Sequence, residues 1–124
     1  MSEEHVEVFV ERSFEAAHSL TLLPKEHKCN GVHGHHYELK VVCSGPVDPE
    51  TGFVIDYGDI KKVLDPLIRR VDHSMLNDEL RMEQPSTENI ARWFWDELAR
   101  RGLTLLDRIE IRETDSNGCI YRKH

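Results

Sequence analysis

The sequence predicts an α+β fold: a four-stranded antiparallel sheet with two helices on one face, in the order β-β-α-α-β-β. Three observations predict it. Two long segments near the N-terminus alternate apolar and polar residues, two central segments carry apolar residues at helical spacing, and two short alternating segments meet at a turn near the C-terminus. The 124 residues suit a single domain spanning 1–124. A chain of that length buries roughly two-thirds of its extended surface, enough for an ordinary core.

Each element has its own signal. Val6, Val8, Val10, Phe14, Ala16 and His18 share one parity, and Glu7, Glu11, Ser13 and Glu15 the other. That is a half-buried strand, with Arg12 as a polar break on its apolar face. Residues 19–32 read as a loop, through Pro24, Asn30 and Gly31. His33 to Cys43 alternates again, with Tyr37, Leu39, Val41 and Cys43 on one face. Residues 44–52 are turn chemistry, and Phe53-Val54-Ile55 reads as a short strand. Ile60, Val63, Leu64, Leu67, Ile68 and Val71 mark a helix in which Pro66 favours a kink or an early end. A second helix starts after Pro85, with Ser86 as N-cap, Ile90, Phe94 and Leu98 on one side and Gly102 as its stop. The Trp93-Phe94-Trp95 cluster in it reads as core or subunit interface. Leu106 to Glu113 alternates with Ile109 and Ile111 inward, Asp115-Ser116-Asn117-Gly118 is a hairpin turn, and Cys119 to Arg122 returns as a strand.

Composition narrows the function. With 39% hydrophobic and 31% charged residues the chain is neither disordered nor fibrous. Its formal charge of −7 argues against a nucleic-acid surface. No apolar run approaches the ~20 residues of a membrane helix, and the acidic opening Met-Ser-Glu-Glu-His is no signal peptide. A cytoplasmic protein with no membrane partner is the expectation. Cys29, Cys43 and Cys119 are an odd, widely spaced set, which argues against a disulfide framework.

Among 8 histidines, three share a pattern. His33 and His35 open a strand and point to its apolar face, and His18 closes the previous strand on its own apolar parity. If the two strands pair as a hairpin, the three imidazoles converge, a set that suits Zn²⁺ with an open fourth position. The plainer alternative is one or two satisfied core histidines and a solvent-exposed third. Gly34, between the pair, lets a backbone or ligand approach. His5, His27, His36 and His124 lack this geometry, and His36 reads as outward-facing.

Cys29 lies four residues before His33. It is a fourth zinc ligand, a thiolate beside the metal, or an inert small hydrophobe, and the sequence leans weakly to the second. Cys43 and Cys119 lie mid-strand and read as inert. Asp72-His73 alone is a capping or turn pair. Glu113 shares the parity of Ile109 and Ile111, so its carboxylate faces inward and calls for a donor: either a flat N–H/N–H₂ edge of a ligand or an internal arginine, Arg12 being the obvious one.

Five motifs together resemble the 6-pyruvoyl-tetrahydropterin synthase superfamily over nearly the whole chain. They are Phe14-Glu-Ala-Ala-His18, Cys29-x3-His33-Gly-His35, Asp72-His73-x2-Leu76-Asn77, Pro85-Ser-Thr-Glu-Asn89 and Glu113-Thr114. The three residues between Cys29 and His33 resemble the bacterial branch, 6-carboxy-5,6,7,8-tetrahydropterin synthase of queuosine biosynthesis. Val71 and Gln84-Pro-Ser-Thr depart from the Leu and the Asn-Pro-Thr-Ser more common in the family.

The resemblance implies a tunnelling fold, whose subunits assemble into trimers and then a homohexamer with sites at subunit interfaces. It implies zinc on His18, His33 and His35, Cys29 as acid/base, and Asp72 with His73 as the second acid/base group, from a neighbouring subunit. Glu113 would anchor the pterin ring, with Ser86 and Thr87 as further substrate contacts. The substrate would be 7,8-dihydroneopterin triphosphate and the products 6-carboxy-5,6,7,8-tetrahydropterin, acetaldehyde and triphosphate. Lys25, His27 and Lys28 would meet the triphosphate or form a solvated loop. The competing readings are the pyruvoyl synthase reaction and a non-catalytic zinc or pterin-binding module.

Overall fold

The structure, a computed structural model, describes residues 4–123. Its centre is the pairing of β1 (Val6–His18) with β2 (His33–Gly45), antiparallel from Val6 opposite Gly45 to His18 opposite His33. The alternation read from the sequence sets this register, because a slip of one residue would turn Phe14, Tyr37 and Leu39 out to solvent. Between β1 and β2, a 3-10 turn over Lys28–Asn30 is capped by His27, whose Nδ1 accepts the Cys29 N–H at 3.0 Å.

The helix α1 (Tyr57–Val71) starts at an N-cap Asp56 that accepts the Gly58 N–H at 2.8 Å. It buries Ile60, Leu64, Leu67 and Val71, one stripe at helical spacing. Pro66 neither ends the helix nor stands in its packed stripe; it is exposed, where water can satisfy the carbonyl left without a donor. The helix α3 (Thr87–Arg100) is capped by Ser86, which accepts the Asn89 N–H at 3.2 Å, and is followed by Gly102 at φ 93°. Phe94 is buried in the core, with Trp93 and Trp95 packed at its margin. α1 lies on β1, and α3 on β4 (Leu106–Thr114) and β5 (Asn117–Tyr121).

Four details differ from the sequence expectation. The sheet has five strands in the order β3-β1-β2-β4-β5, and the added β3 (Ser74–Met75) runs parallel to β1 at Ala16 and Ala17. A third helix, the single turn α2 (Leu76–Glu79), follows it. Neither is long enough to show a period in sequence; both are held by the β1 edge. Phe53–Ile55 forms no strand; Asp48 reaches across this segment instead, its N–H donating to the Phe53 carbonyl at 2.8 Å. The last hairpin turns at Asp115 and Ser116, so β5 begins two residues earlier than the alternation indicated.

Candidate metal centre

The long hairpin delivers what the alternation implied. His18 stands opposite His33 and Ala16 opposite His35, so three imidazoles meet at one end of the sheet. One nitrogen from each lies within 4.8 Å of the others. His18 is 1% exposed, and His33 and His35 are half-buried.

The donor set fits a metal ion. His18 Nδ1 lies 2.7 Å from the Pro85 carbonyl oxygen and His33 Nδ1 2.8 Å from that of Gly31. A carbonyl only accepts, so both Nδ1 atoms carry the hydrogen and both Nε2 atoms keep a lone pair. Burial, aided by the two neighbouring imidazoles, lowers the His18 pKa below its ordinary value, against the opposing pull of the Pro85 carbonyl and Glu113. That favours the neutral ring a metal needs. The group contains no cysteine: Cys29 is half-exposed on the 3-10 turn and its sulfur is not one of the clustered atoms.

Beside the histidines sits Glu113. In the β4–β5 ladder Arg112 pairs with Gly118 and Thr114 with Asn117, leaving Glu113 as the bulged residue. Bulges re-aim side chains. Here the carboxylate accepts the Thr87 hydroxyl at 2.6 Å and comes within 3.6 Å of His35 Nε2. Gly118 makes the bulge possible, since a Cβ there would lie 2.1 Å from the Ile111 carbonyl oxygen. Arg12 is not the partner of Glu113; it bonds Asp65 of α1 at 2.8 Å. β2 separates their strands, and Arg12 lies level with Leu39 and Ile111, short of Glu113 along the sheet.

These motifs and this fold have relatives. The family model of 6-pyruvoyl tetrahydropterin synthase matches residues 7–124. The chain belongs to that family. A 6-carboxy-5,6,7,8-tetrahydropterin synthase of Synechocystis is 37% identical, over 92% of this chain and 91% of that one. A candidate enzyme of the same name from Archaeoglobus fulgidus is 35% identical over 98% and 99%. The solved structure of Caenorhabditis elegans 6-pyruvoyl tetrahydropterin synthase superposes with TM-score 0.87 at 29% identity, over 98% of this chain and 97% of that one. The tunnelling fold of this family is therefore the fold of the chain.

The remaining candidates are not members of the histidine group. Asp72 caps α1: its Oδ1 accepts the Glu15 N–H at 2.9 Å and its Oδ2 lies 3.1 Å from His73 Nδ1. The Glu15 N–H first, and His73 second, hold its pKa below the ordinary carboxylate value. His73 adopts φ 59° and its side chain is 79% exposed. It lines an open cavity of about 470 Å³ with Glu15, Gly34 and His36 of the outward parity and with His35 of the histidine cluster. Gly34 is not required by its own chain, because a Cβ would meet the Ala16 carbonyl at an ordinary 3.6 Å. The Ser86 hydroxyl accepts the capping N–H, which leaves its own hydrogen to donate. His36 is outward and paired with Glu15 at 2.9 Å, His5 is exposed, and His124 lies outside the described residues. A larger cavity of about 980 Å³ covers the outward face from Glu11 to Ile120 but holds none of the three clustered histidines.

Sequence reasoning missed the groups that orient the ligands. The carbonyls of Pro85 and Gly31 are backbone atoms, which leave no signal in residue type. Tyr37 looked like core, and it is fully buried, yet its hydroxyl lies 3.4 Å from each ring nitrogen of His18. Burial, and then Glu113, push its pKa up, so it stays a neutral phenol.

Proposed function

We propose that this chain is a zinc-dependent carbon–carbon lyase converting 7,8-dihydroneopterin triphosphate and one water to 6-carboxy-5,6,7,8-tetrahydropterin, acetaldehyde and triphosphate, in queuosine and 7-deazaguanine biosynthesis. The observation that carries it is the convergence of His18, His33 and His35 beside a bulge-directed Glu113, in a chain that aligns over most of its length with a synthase of that name. The three-residue gap between Cys29 and His33 supports the same branch.

Held by His18, His33 and His35, zinc supplies Lewis acidity to adjacent hydroxyls of the substrate side chain. Glu113 receives the N–H/N–H₂ edge of the pterin ring; the Thr87 hydroxyl occupies one of its four lone-pair sites, so both oxygens can still accept. The Ser86 hydroxyl and Thr87 flank that edge. Cys29 Sγ moves a proton on one face of the ring. His73 moves one on the other face through Nε2, because its Nδ1 is engaged by Asp72. Triphosphate leaves toward Lys25 and Lys28, and a retro-aldol step then cleaves the carbon–carbon bond.

His73 serves the site of a neighbouring copy. In support, its side chain is 79% exposed and is not part of its own chain's histidine group. β3 covers only Ala16 and Ala17 of β1, and β5 is the opposite edge strand, so both edges can pair with further copies. The working form is a homohexamer, a dimer of trimers of one 1–124 domain, in the cytoplasm. Among the described residues, no helix is long and apolar enough to cross a membrane.

The likeness to the C. elegans structure favours a second reading, triphosphate elimination to the pyruvoyl product alone. Incubation with 7,8-dihydroneopterin triphosphate, with zinc content and product mass measured together, separates the two. Acetaldehyde and the carboxy product are expected. The pyruvoyl product alone supports the second reading, and zinc without turnover supports a binding module.

A further inference from the structure

Ser19 follows His18 at the end of β1 and is 6% exposed, so its backbone groups need partners away from water. The ladder with β2 ends at His18, and β3 reaches only Ala17. One side chain supplies both partners. Asn77 Oδ1 accepts the Ser19 N–H at 2.9 Å, and Asn77 Nδ2 donates to the Ser19 carbonyl at 2.8 Å. Because an N–H can only donate, the amide orientation is fixed. The same Nδ2 donates to the Glu83 carbonyl at 3.3 Å, two residues before the Pro85 whose carbonyl orients His18.

Resting on the metal reading above, we infer that Asn77 is a positioning residue of the metal centre. It holds the strand end carrying His18 in register with the segment carrying the Pro85 carbonyl. Only a carboxamide of this length presents a donor and an acceptor together to the C=O and N–H of one residue, as a neighbouring strand would. Aspartate keeps the size and the acceptor but loses the donor to Ser19 and Glu83. Groups that hydrogen-bond a metal ligand change metal affinity by about 10–100-fold when lost, and Asn77 holds the segment that brings one such group, the Pro85 carbonyl, to His18.

The test is the zinc dissociation constant of the full chain, read by chelator competition at 25 °C, for wild type, Asn77→Asp and Asn77→Ala. The core variant Ile60→Val, at the far end of α1, is the control for a loss of stability alone. Both Asn77 variants should bind zinc about 10–100-fold more weakly, with Ile60→Val close to wild type. Asn77→Asp binding as tightly as wild type, or no more weakly than Ile60→Val, overturns the inference while leaving the metal reading intact. A wild type that takes up no zinc overturns both. If the variants do not fold, amide exchange of Ser19 in wild type decides: zinc should slow it roughly tenfold or more through the clamp, and equal rates with and without zinc overturn the inference.

Discussion

His18 Nδ1 meets the Pro85 carbonyl oxygen at 2.7 Å across 67 residues of sequence. This contact ties the end of β1 to the turn that caps α3, and it leaves Nε2 of a buried ring as the free nitrogen. Thr87, two residues on, carries the hydroxyl that holds Glu113. One metal ligand, His18, and the carboxylate are thus set by one short segment, 85–87, while His33 is oriented by the Gly31 carbonyl.

Replacing a ligand should separate metal binding from folding. His33→Ala should abolish zinc binding and leave the fold largely intact, since His33 is half-buried and bonds only a nearby loop carbonyl. His18→Ala should also abolish zinc binding, and in addition cost about 1–3 kcal/mol in the metal-free protein by leaving the Pro85 carbonyl without its donor. Elemental analysis and denaturant unfolding of the chelated proteins read the two effects. Full zinc in His33→Ala would refute the three-histidine site.

Cys29 should behave differently. Because its sulfur lies outside the histidine group, Cys29→Ala should keep full zinc content. Activity should fall by about 10²–10⁴, the usual contribution of a proton-transfer group. Loss of zinc in this variant would instead place sulfur at the fourth vertex of a structural site.

How far the sequence reached follows from the length of each pattern. The first hairpin's strands alternate over long runs, Val6 to His18 and His33 to Cys43, so the meeting of His18 with His33 at one end was legible. The Ser86 cap and the Gly102 stop were legible because each is a local device. The stretch from Asp72 to Leu80 was not. Its two-residue strand and single-turn helix are set by contacts to Glu15 and Ala16 on β1 and to Ser19 just past its end. The inward aim of Glu113 was readable from parity, but its partner was not: the bulge that directs it depends on Gly118, which in sequence looks only like a turn residue.

Glu113 and Gly118 should therefore act in the same direction. Glu113→Ala removes a charged acceptor for two hydrogen bonds worth about 1.5–3 kcal/mol each, so KM should rise at least tenfold with zinc content unchanged. Gly118→Ala forces the β4–β5 bulge to shift, because its Cβ would collide with the Ile111 and Arg112 backbone. It should raise KM as well and lower the melting temperature. Steady-state kinetics beside a thermal melt checks both; a Gly118→Ala enzyme that melts lower with wild-type KM would uncouple the bulge from substrate binding.

Two of the three thiols, Cys43 and Cys119, should titrate high. Burial, then Asp107, pushes the Cys43 thiol up to about 11, and Cys43 is fully buried. Burial, then Glu88 and Glu113, pushes the half-buried Cys119 up to about 11. The thiolate is the reactive form, and at pH 8 a thiol of pKa about 11 is ionised to roughly one part in 10³. A disulfide reagent added to the native protein at pH 8 should therefore find one fast thiol, Cys29, and two slow ones. The slow pair should speed up as pH rises toward 11, and all three should react alike in denaturant. Stability has a matching sign. Below the ordinary thiol pKa of ~8.5 both states keep their protons and nothing is lost; above it the unfolded chain releases protons that the fold retains, so stability falls with rising pH. Cys119→Ala should flatten that alkaline fall. Two fast thiols in the native protein at pH 8 would mean that β5 does not shield Cys119, and with it that the strand behind the Glu113 bulge is open.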